Sequence, residues 1–524
     1  MNLTSLDFRS THAFTSFFLD YIEQKPSLQK FYNRFPKIQN FQGQLQDKAS
    51  FTRGNREILV TALTAQYGSL KTTDAVQANF SALSHEKTFT ITTGHQLNVF
   101  TGPLYFIYKI VTVINVCREL QQQYPAYRFV PVYWMASEDH DYEEIKTFRL
   151  YGKKYTWNTQ QTGAVGRFAL DELRTLLNEV PGEISIFKEA YTKNQSLAAA
   201  VRHYVNALFG EHGLIVVDGD DRSLKSLFTP VIANDLFQHT AFQKTEATTK
   251  QLQQLGYHTQ VKAREVNLFY LDKGIRSRIE KKGHTFSVVD SSISFTAEQI
   301  NSCIKNEPEK FSPNVVLRPL YQEMILPNLA YVGGPAELVY WLQLRDVFEV
   351  FQVPLPILMP RNFAMVVDEA TQKKFVKIGL ELKDVFEEKN FLFNHWVAQN
   401  SQHDLSLGRE FEKLKSLYQS VQNQAERVDS TLGKLVAAKH KRAHDDLERI
   451  EQKMLKAEKR RHEDKRKQIE AVKDALFPFG SLQERTDNFL SFYQSDPEFV
   501  GKLIQLLQPF DFQFNVLKYD EKGT

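Results

Sequence analysis

Two polar clusters in this sequence carry residue types that do chemistry, and each closes an apolar run. The first is Gly94-His95-Gln96, with Asn98 and Thr101-Gly102-Pro103 just beyond, after the β-branched run Thr88 to Thr93. The second is Ser137-Glu138-Asp139-His140-Asp141, after the apolar run Arg128 to Ala136. Adjacent ionisable groups of this kind repel one another unless a positive charge lies among them: a divalent metal, a substrate ammonium or an arginine. An amine substrate satisfies that condition, and a histidine in the cluster is a ready proton acceptor. The competing reading is a solvated acidic loop whose histidine caps a helix. The mixed ligand types and their spacing diagnose no metal.

Other residues suit anions. Pro fits the first position of a helix, so Thr101-Gly102-Pro103 reads as a helix opening, and Gly333-Gly334-Pro335-Ala336-Glu337 repeats the pattern. A helix start offers free N–H groups to a phosphate or carboxylate. Lys109 lies in the first apolar helix, and Arg318 and Glu323 precede the second Gly-Pro. Arg318 is a two-donor clamp for a carboxylate, or half of a buried pair with Glu323. Asp218, Asp220 and Asp221 bind a ribose or simply form a turn. Neither GxxxxGK[ST] nor a GxGxxG after a strand is present. The catalytic candidates are thus His95, Glu138, His140 and Asp141. The binding candidates are Gly94, Gln96, Asn98, Thr101, Gly102, Lys109, Asp139, Arg318, Glu323, Gly333, Gly334 and Glu337.

The elements that must hold these residues are legible. Thr88 to Thr93 is a strand, Pro103 to about Leu120 a buried helix, and Arg128 to Ala136 a second strand, which is a βαβ unit. Leu214 to Val217, Val315 to Leu320, Leu329 to Val332 and Pro354 to Pro360 extend the core. Polar residues at strand ends of an α/β sheet mark its ligand crevice. Residues 1–87 read as a helical lead-in, 88–367 as a Rossmann-like core interrupted at about 148–209 and 240–311, and 477–524 as a tail that packs back. Residues 368–476 are rich in Lys, Glu, Gln and Arg, with Leu447, Ile450, Met454 and Ala457 stepping by three and four. That seam predicts two antiparallel helices in a coiled-coil arm, with a cap at Asp429-Ser430. The basic run Lys456 to Lys467 contains Glu458, Glu463 and Asp464, so it reads as a solvated face rather than a nucleic-acid site.

Composition bounds the rest. A 524-residue chain with a formal charge of +3 has no overall pull toward nucleic acid or membrane. Two cysteines and the absence of a secretory pattern predict a reducing cytoplasm.

Four segments in order, TGHQLNVFTGPLYFIYK, VPVYWMASEDHDYEEI, SPNVVLRPLYQEMILPNLAYVGGPAELVYW and ALFPFGSLQERTDNFLSFY, resemble the bacterial bacillithiol biosynthesis cysteine-adding family. The resemblance implies a ligase that adds cysteine to glucosaminyl malate to give the thiol bacillithiol. On that basis the malyl carboxylate is expected to join the cysteine amine, with His140 as the base. It also implies a core like that of nucleotidyltransferases and class I synthetases, whose HxGH motif binds ATP phosphates; this chain departs from it with the single histidine of TGHQ. The activator is therefore open, ATP or another adenine nucleotide, with or without a divalent metal. Gly480, Ser481, Gln483 and Arg485 either edge a second nucleotide pocket between body and arm or cap a helix. The partners implied are the two small substrates and a second copy of the chain through the arm. An amino-acid-activating or nucleotidyl-transferring enzyme, and a coiled-coil scaffold, are the alternatives.

Overall fold

The apolar runs read above pair into one parallel sheet. The structure, a computed structural model, describes residues 1–519. Among the described residues the core strands are β1 (Thr88–His95), β2 (Arg128–Met135), β3 (Ile215–Asp218), β4 (Asn328–Gly333) and β5 (Ile357–Pro360). Their order is β5-β4-β1-β2-β3, every pair parallel. Helix α1 (Tyr105–Gln123) makes the crossover from β1 to β2. Both faces of a parallel sheet are covered, which explains why β1 is buried at all eight positions although it alternates no hydrophobic pattern. Phe89, Ile91, Val113, Val116, Phe129, Val332 and Met359 form one apolar cluster between α1 and the sheet.

The register levels the strand ends. His95 faces Met135, and Met135 faces Asp218. Tyr331 faces Thr92, and Gly333 faces Pro360. The chain leaves β1 toward β2 on one side and later returns as β4 on the other. The crevice at the carboxyl ends of β1 and β4 is therefore the topological switch point, where open α/β sheets bind ligands.

Several expectations shift. The lead-in opens with a strand, Asn2–Leu6, which joins Phe514–Lys518 and Phe363–Val367 in a small separate sheet. Val315 to Leu320 is not a core strand. Phe311–Pro313 is an edge strand of the inserted antiparallel sheet, and α2 (Arg318–Ile325) starts at Arg318 with Pro319 in its first turn. Pro removes a ladder donor, and a helix start tolerates that loss. The inserted sheet also contains Ile275–Lys282, a strand absent from the sequence reading.

The chain divides into two compact units. One is Met1–Val366 with Ser481–Leu517, so the lead-in and most of the tail belong to the body; the other contains Val367–Gly480. Within the second, α4 (Gly408–Val428) and α5 (Leu432–Arg461) pack on each other across a turn in which Asp429 accepts from Thr431 N–H at 2.8 Å. The arm is more than a two-helix hairpin: Glu369–Ile378, Lys389–Asn400 and a further helix, Glu463–Leu476, complete it. Among the described residues no helix is long and apolar enough to cross a membrane.

Candidate functional site

The carboxyl ends of β1, β2 and β4 surround a cavity of about 730 Å³. Gly94, His95 and Gln96 arrive from β1, Glu138, Asp139 and His140 from the loop after β2, and Gly334 to Glu337 from the start of α3 (Pro335–Leu342). Eight cationic side chains line it: Lys109, Lys262, Arg264, Arg276, Arg278, Arg318, Arg361 and Arg485. Four carboxylates face them: Glu138, Asp139, Glu144 and Glu337.

Lys109 is anchored at the floor. Its Nζ donates to the Gly94 carbonyl at 2.8 Å and lies 2.6 Å from Glu337 Oε2. Burial pulls the ammonium below its ordinary pKa, with Glu337 opposing that pull. Burial by itself would raise Glu337, but Lys109, the Gly334 N–H at 2.8 Å and the Tyr331 hydroxyl at 2.7 Å hold the carboxyl below its usual range. The first turn of α3 is thus capped by the protein's own carboxylate. Arg318 donates to Gln322 at 3.0 Å and to the Tyr340 hydroxyl at 3.3 Å. Burial would lower it, yet Tyr340, Tyr331 and Glu337 hold it above its ordinary value, so it is a fixed cation. Gly94 leaves room for it: a Cβ there would stand 3.2 Å from the Tyr331 hydroxyl and 3.5 Å from Arg318.

His95 is buried, and the Asn98 amide nitrogen lies 3.1 Å from its Nε2. Burial and then the Lys109 charge pull its pKa down to about 3, so the ring is neutral at physiological pH. Gln96 bridges Asp139 at 3.1 Å and Glu144 at 2.7 Å. Lys225, almost wholly buried, sits 2.5 Å from Glu138. Burial raises the Glu138 carboxyl against that pull. Arg276 approaches His140 Nδ1 at 2.6 Å and Asp139 Oδ1 at 3.6 Å.

Not every candidate reaches the cavity. The expected anion seat at Thr101-Gly102-Pro103 is filled by the chain itself. Leu104 N–H donates to the Asp487 carbonyl at 2.8 Å, and the Asn488 amide donates to the carbonyls of Phe100 at 2.6 Å and Gly102 at 2.7 Å. Phe100 and Thr101 have φ of 51° and 70°, a costly region for side chains of these shapes, which the Asn488 contacts help hold. Glu323 lies away from the cavity: it accepts from Asn328 at 2.7 Å and Gln322 at 2.9 Å and meets buried Lys48 at 3.5 Å. It is not Arg318's partner. Asp141 is exposed and does not line the cavity. Asn98, Gly333, Gly480 and Ser481 also fall outside the lining. Gln483 clamps the Val366 backbone through both amide atoms, at 2.8 and 3.0 Å, which is a structural task. Asp218 accepts from Ser137 Oγ, Asp220 pairs with Arg167 at 2.7 Å, and Asp221 caps a short helix, so the acidic turn after β3 is internally paired.

Sequence reading missed the insertion's cations, Lys262, Arg264, Arg276 and Arg278, because nothing local ties them to a strand end. Arg361 was findable, since it directly follows β5. Glu484 grips it bidentately at 2.9 and 2.5 Å, both side chains buried.

Comparison with known proteins gives two family matches. "Bacillithiol biosynthesis BshC, N-terminal Rossmann-like domain" matches residues 1–362, and "Bacillithiol biosynthesis BshC, C-terminal coiled-coil domain" matches residues 364–519. A protein of Flavobacterium johnsoniae named "Putative cysteine ligase BshC" is 39% identical over 524 residues, covering 98% of this chain and 99% of its own length. A protein of the same name from Cytophaga hutchinsonii is 39% identical over 519 residues, covering 99% of each chain. Another, from Chlorobaculum tepidum, is 29% identical over 503 residues, covering 88% of each.

Proposed function

The chain belongs to the bacillithiol biosynthesis BshC family and is a ligase; from that premise we propose that it joins L-cysteine to glucosaminyl malate through an amide bond, giving bacillithiol. The observation that carries this reading is the cationic lining of the switch-point cavity, in which Arg318 is held by neutral groups, Gln322 and the Tyr340 hydroxyl, while Lys109 and Arg361 are paired with Glu337 and Glu484. A malyl group brings two carboxylates, and guanidinium forks hold carboxylates bidentately. A carboxylate gripped in this way is stabilised rather than activated. The geometry therefore favours the opposite polarity from the one expected above: the glucosaminyl amine attacks the cysteinyl carboxyl carbon.

In that direction the amine arrives as an ammonium among Glu138, Asp139 and Glu144. One proton leaves before attack and a second as the amide forms, while a cysteinyl oxygen departs with the activating group. Glu138 is the best-placed acceptor, because burial raises its basicity and Lys225, 2.5 Å away, holds its carboxylate in place at the cavity wall.

The test is an assay for thiol product from cysteine and glucosaminyl malate, run with and without ATP and Mg²⁺. Arg318→Lys should lower kcat/KM by about 10- to 100-fold, since Lys cannot reproduce the planar two-donor contact. Malate should protect the wild type against thermal unfolding and protect the variant less. Undiminished malate protection in the variant would remove Arg318 from the carboxylate role.

We also propose that the arm pairs with a second copy. Leu417, Val421, Leu435 and Ile450 of α4 and α5 are between 42% and 60% exposed, too apolar a set for a free helical hairpin. Two-fold pairing is the commonest closed solution. Light scattering at micromolar concentration should give twice the chain mass, and Leu435→Glu with Ile450→Lys should halve it. A monomeric wild type would refute the pairing.

A further inference from the structure

Arginine carries only hydrogen-bond donors and stays protonated. Arg276 NH1 lies 2.6 Å from His140 Nδ1, so Nδ1 must be the acceptor and the ring proton must sit on Nε2. We propose that Arg276 is a positioning residue that locks His140 as a neutral donor, presenting Nε2–H to the cavity, and that His140 is therefore not the general base of the reaction. The inference deepens the ligase reading and rests on it only for its activity arm.

Arg276 is itself held from several sides. Its Nε donates to Ser312 Oγ at 3.1 Å, its guanidinium lies 4.1 Å from the centre of the Phe269 ring, and its side chain is 8% exposed. Phe269 also packs on the His140 ring, with centroids 5.4 Å apart. The charged groups around His140 are Arg276 from the inserted sheet and Asp139 and Asp141 from its own loop. The Asp139 carboxylate sits 3.7 Å from Nδ1, but its Oδ1 is already engaged by the His140 N–H at 2.7 Å and by Arg276 at 3.6 Å. Protonating Nδ1 would set two donors against each other, and Nε2 already bears its proton. His140 thus has no free lone pair for a substrate ammonium. It has one N–H to give, and the natural recipient is an oxygen: a substrate carboxylate or the oxyanion that develops as the amide forms. Proton removal then falls to the carboxylates of the same wall.

The deciding experiment is ¹⁵N NMR of the full-length, substrate-free protein labelled at histidine, with His140 assigned from the spectrum of His140→Gln. The expected result is the Nε2–H tautomer with no titration between pH 5.5 and 8. An Nδ1–H tautomer, or a ring titrating near the ordinary histidine value, would overturn the proposal whether or not any ligation is detected. In Arg276→Leu the ring should begin to titrate in that range, and Arg276→Lys, which again offers only donors, should restore the wild-type pattern. If Arg276→Leu does not fold, the wild-type spectrum still decides. Activity gives a second reading. Gln places an amide N–H near the Nε2 position, so His140→Gln should stay within about tenfold of wild type, while His140→Ala and His140→Asn lose about 10²- to 10³-fold. Equal loss in all three is what a general base requires, and it would refute the donor role.

Discussion

Lys109→Met should destabilise the body by about 2–3 kcal/mol and abolish ligation, and adding Glu337→Met should recover much of the stability and none of the activity. The reason is the ion pair at the cavity floor, 2.6 Å apart, in which Lys109 is buried and the Glu337 side chain is 26% exposed. Removing one partner leaves the other charge uncompensated in a low-dielectric setting, which costs more than the intact pair contributes. Replacing both by apolar side chains removes that penalty, although the Tyr331 hydroxyl and the Gly334 N–H then lose an acceptor each at 2.7 and 2.8 Å. Activity does not return, because the cavity has lost both the Lys109 ammonium and the carboxylate that caps α3. Urea unfolding of the two single variants and the double variant measures the coupling directly. A single Lys109→Met variant as stable as wild type would mean that the pair is not held dry in the folded protein.

His95 should make the body acid-sensitive. Its folded pKa is about 3, and in the unfolded chain it returns to about 6.5. Between those values the unfolded chain binds a proton that the folded one refuses. Stability from this group is therefore complete above about pH 6.5 and is lost as pH falls toward 3, at up to about 1.4 kcal/mol per pH unit. Over the full window that is about 5 kcal/mol. His95→Gln keeps an amide near Asn98 and removes the titration. The difference in unfolding free energy between wild type and variant should shrink by about 2–3 kcal/mol from pH 7.5 to pH 4.5. A difference that stays constant with pH would show that the ring is not buried neutral.

How far the site could be read from sequence follows from distance along the chain. His95, Gln96, Glu138, Asp139, His140, Gly334 and Glu337 all line the cavity, and each stands within a few residues of the end of a strand whose apolar run announces it. Local pattern suffices there, because a parallel sheet brings all its carboxyl ends to one edge. The misreadings come from residues whose partners are remote. Thr101-Gly102-Pro103 has the composition of an anion-binding helix start, and only Asp487 and Asn488, nearly four hundred residues away, show that the seat is taken. Glu323 is five residues from Arg318 and looked like its partner. On the helix it turns instead toward Asn328 and Lys48.

The five parallel core strands, the long helices of the arm and the switch-point crevice were legible in the chain alone. These depend on apolar runs, on Gly-Pro openings and on heptad spacing, all of which are local or periodic. The charge of the cavity and the roles within it depend instead on contacts between remote parts of the chain. Arg276 and Arg278 reach the crevice from an inserted antiparallel sheet, and Lys262 and Arg264 from the loop that leads into it; no local pattern encodes how that insertion docks. Whether His140 accepts or donates a proton is likewise not a property of histidine or of its neighbours in the chain. It is set by an arginine 136 positions away, because a ring nitrogen facing a group that can only donate has no choice but to accept.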